Sequence, residues 1–326
     1  NMIKEGDYIE GFYKVNNLDT ILLFTNLGNY LYLPVREINE SKFKDVGSHV
    51  SSIIKVSDGE RIVKTIAVHK FDDSILTIFT KKGMVKRVPL NAFEVSRYTK
   101  PISMCKLKDD DELLSVSRYN GTDVVVITND GYALKYDVNE IPVVGLRTSG
   151  VRSIKLSDNR EVICGFVHNL DKEYVTIFTD KNTAKRVKVS DIEMSGRAKK
   201  GSAIIKTPKS KRYNIVRAYN SSSKNIFGIV DGDVGYLKSS DISIMDTQST
   251  GMTFSRKNVD NIFMLSKIVD ITNEKNIEEK FLPISSIGKE GEYSGRNRKI
   301  ISLPSIIINL SASLSTVANV FLSIYK

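Results

Sequence analysis

Phe79-Thr80-Lys81-Lys82-Gly83-Met84-Val85-Lys86-Arg87-Val88-Pro89-Leu90 reads as the end of an apolar strand, a short polar turn closed by glycine, and a second strand with two adjacent positive charges. Glycine closes such a turn because it reaches positive φ without a steric cost. The same grammar recurs on both sides. Upstream stands Ile21-Leu22-Leu23-Phe24-Thr25-Asn26-Leu27-Gly28 followed by Asn29-Tyr30-Leu31-Tyr32-Leu33-Pro34. Downstream stand Val126 to Tyr136, Ile177 to Val187 and, more weakly, Ile229 to Leu237. The turn markers are Gly28, Gly83, Gly131, Asn182 and Gly232, at intervals of 55, 48, 51 and 50 residues. Between them the apolar runs are short, β-branched and aromatic, and helical periodicity is almost absent.

The second half of each unit repeats as well. A basic loop containing glycine or proline follows the hairpin, and then a polar turn, as in Ser57-Asp58-Gly59-Glu60, Lys108-Asp109-Asp110-Asp111-Glu112 and Ser157-Asp158-Asn159-Arg160-Glu161. Each polar turn leads into another apolar strand, such as Ile62 to Val68. About four strands per unit of some fifty residues, repeated five or six times, predicts an all-β, propeller-like ring of four-stranded blades. Lys4-Glu5-Gly6-Asp7-Tyr8-Ile9 matches the polar turn and its strand, so the chain is expected to open in mid-blade as a piece of a longer polypeptide. The expected division is a repeat domain over 1–265 and a C-terminal tail over 266–326, the tail holding a degenerate last blade and an apolar segment.

Composition bounds the partners. Lys and Arg total 48 against 38 Asp and Glu, for a net charge of +10 and a pI near 9.3. That balance suits a polyanion, nucleic acid or an anionic membrane surface. Two cysteines, Cys105 and Cys164, exclude a disulfide scaffold and fit a reducing cytoplasm. No apolar leader opens the chain. Ile300 to Tyr325 lacks charge and is long enough to cross a bilayer, but six serines, two asparagines and Pro304 dilute it, and the expectation is against membrane insertion.

Chemistry is sparse. His49, His69 and His168 fall in different units with no metal-ligand spacing. There is no nucleophile elbow and no Walker or dinucleotide loop, and the acids gather in turns, where they are structurally expected. The chain alone is read as non-catalytic, with no cofactor, metal or small-molecule substrate. Its basic residues say more. Aligned hairpins give a column of Tyr32, Arg87, Lys135, Arg186 and Tyr236, preceded by Leu31, Lys86, Leu134, Lys185 and Gly235. Charge therefore concentrates in the second and fourth units, where Lys188 extends it. The loops add Arg97 and Lys100, then Arg147, Arg152 and Lys155, then Arg197, Lys199, Lys200, Lys206, Lys209, Lys211 and Arg212. Lysine on an edge strand also guards against aggregation, but that role does not call for arginine in one register with loop cations behind it. The expected site is a perimeter of Lys86, Arg87, Arg97, Lys100, Lys135, Arg147, Arg152, Lys155, Lys185, Arg186, Lys188, Arg197, Lys199 and Lys200 meeting the phosphates of bent double-stranded DNA. Eight such contacts would give a log–log salt slope of roughly −7.

As a phased set, Ile78-Phe79-Thr80-Lys81-Lys82-Gly83-Met84-Val85-Lys86-Arg87 and Val126-Ile127-Thr128-Asn129-Asp130-Gly131-Tyr132 resemble the C-terminal domain of the A-type subunits of bacterial type IIA topoisomerases, over roughly Met2 to Phe263. The resemblance implies a β-pinwheel whose blades exchange strands and whose basic rim binds and bends DNA. It also implies a holoenzyme in which an ATPase B-type subunit, ATP, Mg and the cleaving tyrosine lie outside this chain. The glycine-rich box of the gyrase A-type subunits would fall upstream of Asn1, and Gly196-Arg197-Ala198-Lys199-Lys200-Gly201 echoes it without its Gln and paired glycines. Gly145-Leu146-Arg147-Thr148-Ser149-Gly150-Val151-Arg152-Ser153-Ile154 is closer to ParC, the corresponding subunit of topoisomerase IV. The uneven charge also suits a domain that binds a bent segment, as ParC does, rather than one that wraps a full turn. ParC is the reading, with gyrase the near alternative and a protein-interaction propeller the alternative of another class.

Overall fold

The hairpins turn on one device. In a computed structural model, which describes residues 8–39, 50–208, 210, 212–272, 278–281, 307–309 and 317–324, the amides of Gly28, Gly83, Gly131 and Asn182 donate to the carbonyls of Thr25, Thr80, Thr128 and Thr179, each at 3.1 Å. The turn-closing residues all have positive φ, from 55° at Asn182 to 90° at Gly232. This is the bulged three-residue turn that the right-handed twist of a hairpin favours. Threonine recurs at the first position because its hydroxyl accepts the amide beyond the turn, from Met84, Tyr132 and Thr183 at 3.0, 3.1 and 3.2 Å.

The first strand of a hairpin is apolar on both faces because both faces are buried. Ile21 and Leu23 join one core with Leu31 and Leu33, while Leu22 and Phe24 join another with Leu76, Ile78 and Val88 of the next hairpin. Further on, Val124 and Val126 face Phe79 and Val85, and Val125 and Ile127 face Val175 and Ile177. Every core thus lies between two sheets, as expected for stacked blades. Burying a Leu or Phe side chain contributes about 1.5–3 kcal/mol, and here each contribution needs a neighbour.

The blades exchange strands. Blade one runs Ile62–Val68, Thr20–Thr25, Asn29–Pro34 and Ile102–Ser103; blade two runs Leu113–Ser117, Ile75–Thr80, Met84–Pro89 and Val151–Arg152. Blade three runs Val162–Val167, Asp123–Thr128, Tyr132–Asp137 and Ser202–Ala203, and blade four Ile215–Ser221, Tyr174–Thr179, Thr183–Lys188 and Met252–Thr253. The fourth strand always comes from beyond the following hairpin, which makes the sheets the β-pinwheel the resemblance implied. Ile62–Val68, Leu113–Ser117, Val162–Val167 and Ile215–Ser221 pack on one another from blade to blade, so the exchanged strands lie at the outer rim. Blade five has three strands among the described residues, Asn261–Met264, Ile226–Val230 and Val234–Lys238. No fourth strand pairs with these among the described residues.

Tyr8–Asn16 pairs in parallel with Lys267–Asp270 and antiparallel with Val317–Ile324, and Lys14 meets Asp270 at 3.0 Å. This pairing runs across the boundary expected at 265–266. The polar turn at Lys4 to Asp7, and most of the uncharged tail, lie outside the described residues.

Glycine is also required where the exchanged strands begin. A Cβ on Gly150, Gly201 or Gly251, all at positive φ, would strike the carbonyl of Val85, Ala133 or Ala184. Gly232 has an equally left-handed backbone with open space around it. Gly232→Ala is expected to cost about 1 kcal/mol and Gly201→Ala about 2–4 kcal/mol in denaturant unfolding, the difference being the backbone collision.

Candidate nucleic-acid interface

The rims of blades two, three and four are each closed by a loop that leaves the sheet and returns. On blade two, Val143 bridges Arg87 in parallel, and Val151–Arg152 comes back antiparallel to Met84–Val85. The loop 145–150 passes over Lys86, which stands between. Blade three repeats this with Met194 beside Lys135 and Ser202 beside Ala133, and blade four with Ile244 beside Arg186 and Met252 beside Ala184.

This geometry corrects the hairpin columns. Lys86 and Lys185 are each 1% exposed, and Lys135 and Arg186 are 8% and 7% exposed. The Lys86 ammonium donates to the carbonyls of Met104 at 2.6 Å, Thr148 at 3.2 Å and Gly145 at 3.4 Å. Lys185 donates to the carbonyls of Asp246 and Ser249 at 2.7 and 3.0 Å. One position on, Lys135 reaches the carbonyl of Val189 at 3.0 Å, Arg186 that of Ile242 at 2.7 Å, and half-buried Arg87 that of Val138 at 3.4 Å. These carbonyls belong to the next blade along. The strand cations therefore join blade to loop and blade to blade, and the buried four present no charge to a duplex. In the first blade the same register holds Tyr32, stacked on Phe71 at 5.6 Å.

The loop cations are placed differently. Arg97, Lys100, Arg147, Arg152, Lys155, Lys199 and Lys200 are exposed, as are Lys206 and Arg212, whereas Lys209 and Lys211 lie outside the described residues. Lys188 is exposed at the far end of its strand. Arg197 is half-buried: its amide and Nε donate to the carboxylate and carbonyl of Glu140 at 2.8 and 2.9 Å, and its Nη1 to the carbonyl of Arg152. Lys200 sits 4.1 Å above the ring of Tyr132. Backbone hydrogen bonds stitch consecutive loops into one strip. Lys106, Lys155 and Lys206 donate their amides to the carbonyls of Thr148, Lys199 and Ser249, and Arg147 and Ala198 to those of Met104 and Ser153.

Lys106, Lys155 and Lys206 of that strip belong to a column the hairpin alignment missed. Lys55, Lys106, Lys155, Lys206 and Arg256 stand one per blade, at intervals of 51, 49, 51 and 50 residues, and all are exposed. The first four follow Ile54, Cys105, Ile154 and Ile205, each no more than 4% exposed. Strand-like alternation turns the apolar residue in and the cation out. The repeated apolar–Lys pair was the available signal, displaced by 23 to 27 residues from the turn markers.

Among the described residues little else suggests reaction chemistry. Among the described residues no group of three His, Cys, Asp or Glu side chains could hold a metal ion. Burial pushes the Cys164 thiol up to about 12 and raises that of Cys105, which keeps both protonated and inert at neutral pH. No helix among the described residues is long and apolar enough to cross a membrane.

Comparison with known proteins agrees with this architecture. The family profile described as "DNA gyrase C-terminal domain, beta-propeller" matches residues 19–69, 75–120, 122–163 and 173–210, just over half of the chain. The A-type subunit of DNA topoisomerase 4 from Bacillus subtilis is 32% identical over 256 residues, covering 77% of this chain and 32% of that protein. Its counterpart in Staphylococcus epidermidis is 33% identical over 216 residues, 66% of this chain and 27% of that protein. The chain thus spans between a quarter and a third of the length of these curated relatives. A crystal structure of the C-terminal domain of DNA topoisomerase IV superposes with a TM-score of 0.72 at 29% identity, covering 77% of this chain and 80% of that one. A DNA gyrase A C-terminal domain superposes at 0.62 with 19% identity, covering 81% and 88%, a likeness of fold.

The buried ammonium groups have a measurable signature. Burial pulls the Lys185 pKa down from 10.5 to about 8, so the unfolded chain holds this proton more tightly than the folded one. Stability therefore rises with pH between about 8 and 10.5 as the folded amine deprotonates first. Wild-type protein should gain stability relative to Lys185→Met across that window, read from urea unfolding at a series of pH values.

Proposed function

This chain belongs to the family of DNA gyrase C-terminal β-propeller domains, and from that premise we propose that it is a non-catalytic module that binds and bends duplex DNA for a type IIA topoisomerase. The observation that carries the reading is the exposed column Lys55, Lys106, Lys155, Lys206 and Arg256, three of whose members stand on hydrogen-bonded rim loops. Cations repeated at one structural position per blade track a polyanion with its own repeat. Phosphate contacts of this kind fix the path of the duplex and carry no base information. Discrimination between sequences would come from how readily each bends. Arg97, Lys100, Arg147, Arg152, Lys199 and Lys200 flank the column and add to the phosphate track.

Within the holoenzyme the domain would present the transported segment to an ATP-dependent strand-passing core in the cytoplasm. The cleaving tyrosine, the ATPase B-type subunit, ATP and Mg belong to that core and not to this chain. Topoisomerase IV is the favoured source, supported by the relatives named above and by the higher identity and TM-score of its C-terminal domain. The uneven charge inferred from the hairpins no longer supports that choice, because the exposed cations recur in every blade.

Binding to a duplex over a salt series tests the reading. The expected log–log slope is roughly −5 to −7, and joint replacement of Lys106, Lys155 and Lys206 by alanine should flatten it by about 2.7. Lys224→Ala, an exposed cation in the connection between Ile215–Ser221 and Ile226–Val230, should leave it unchanged. Tight binding with a residual linking-number change after relaxation would favour a gyrase-like wrap, and binding without it topoisomerase IV. Absence of binding at modest salt would sink the DNA reading in favour of a protein-interaction propeller.

A further inference from the structure

A buried ammonium is a costly way to fill a sheet position. Its place in the strand is filled by Leu31 in blade one and by Leu134 in blade three, so packing alone does not demand a charge. The loops above answer in alternation. Counting back from Pro101, Gly150, Gly201 and Gly251, the same loop position holds Arg97 in blade one, Leu146 in blade two, Arg197 in blade three and Thr247 in blade four. Where the strand offers leucine, the loop offers arginine; where the strand offers lysine, the loop offers Leu or Thr.

The structure shows what the alternation does. In blade two Lys86 holds its loop from within, and through Met104 it holds the end of the preceding loop too. Lys185 holds the blade-four loop from within. In blade three Leu134 leaves a cleft of about 230 Å³ beneath the loop, lined by Ala133, Met194, Lys199 and Ser202. There the loop is held from outside, by Arg197 on Glu140 and on the carbonyl of Arg152. Blade one pairs Leu31 with an exposed Arg97.

We propose that Lys86 and Lys185 are positioning residues, each an internal clamp on its rim loop, Lys86 fixing the loop that carries Arg147 and leads to Arg152, Lys185 fixing the Ser249 carbonyl that takes the Lys206 amide, and that Arg197 is the external equivalent. The proposal rests on the DNA-binding reading for its functional half, and its structural half stands apart from it. The clamp touches no phosphate. It sets where Arg147 and Arg152 point, and thereby how many phosphates the rim neutralises at once. The two arrangements are interchangeable, and transplanting the external one into blade two should replace the internal one.

The test compares wild type, Lys86→Leu, Leu146→Arg and the double variant Lys86→Leu with Leu146→Arg. Amide exchange over residues 145–150 and duplex binding over a salt series are read on each. Lys86→Leu should speed exchange in that loop about tenfold or more, weaken duplex binding about three- to tenfold and flatten the salt slope by about one, the loss of one fixed phosphate contact. The double variant should recover both readouts, whereas Leu146→Arg alone should not slow exchange below wild type. Wild-type exchange in Lys86→Leu overturns the clamp. Fast exchange with unchanged binding and slope overturns its role in positioning. Weakened binding with a quiet loop overturns it too, by making Lys86 a direct contact. Should Lys86→Leu not fold, Lys185→Leu with and without Thr247→Arg is read by exchange over residues 246–251 and by the same salt series, with Lys206, whose amide rests on Ser249, as the cation set loose. If wild type binds no duplex, the DNA reading fails, while the exchange experiment still decides the clamp.

Discussion

A twisted sheet that ends on a bare edge leaves unpaired amides and carbonyls and invites pairing with another chain. Four blades of this domain meet that constraint by borrowing a two-residue strand from beyond the next hairpin. The consequence runs through the whole molecule. A blade cannot complete its hydrogen bonding before its successor exists, and it cannot bury its apolar faces without neighbours on both sides. Secondary structure and core therefore impose the same order on the chain. The sheet position just inside the exchanged strand inherits a further problem, because the borrowed segment must leave the sheet, turn and return over it. The turning backbone directs carbonyls inward, and Lys86 and Lys185 supply the donors.

The hairpins were legible because their causes are local. Thr80 and Gly83 fix one turn within four residues, and the same pair of constraints marks Thr25 with Gly28 and Thr128 with Gly131. The apolar runs were legible for a different reason. Strands buried on both faces show little alternation, and Ile21 to Phe24 is such a run. The fate of the strand cations was not legible. Lys86 finds its acceptors 18, 59 and 62 residues away in sequence. Nothing in Val85-Lys86-Arg87 distinguishes an ammonium that meets solvent from one that meets the underside of a loop. In a half-exposed strand, two adjacent cations would put at least one on the surface. Here the face that would be solvent in a hairpin is occupied by the next blade and its loop.

The exposed column failed to appear for a reason of span. Hairpin columns compare residues that share a turn and its two strands, while Lys55, Lys106, Lys155, Lys206 and Arg256 share the segment after the loop. Counted from the turns they lie 27, 23, 24, 24 and 24 residues on, nearly in phase but outside the hairpins. Aligning on Ile54, Cys105, Ile154 and Ile205 brings the cations into phase. Burial of the apolar partner is the physical reason that second alignment is the correct one for the rim, since it fixes which way the neighbouring side chain points.

Net charge and charge presented are then different quantities. The +10 of the chain includes Lys86, Lys135, Lys185 and Arg186, whose hydrogen bonds end on carbonyl dipoles inside the rim. Removing them from the surface takes away one charge from blade two, one from blade three and two from blade four. A rim with one exposed column cation per blade, its consecutive loops in blades two to four joined by backbone bonds, resists local adjustment. For a stiff polyanion against such a rim, curvature must come from the duplex, since the protein side has few free torsions to offer. Bending in this domain would follow from the clamping of the loops as much as from their charge.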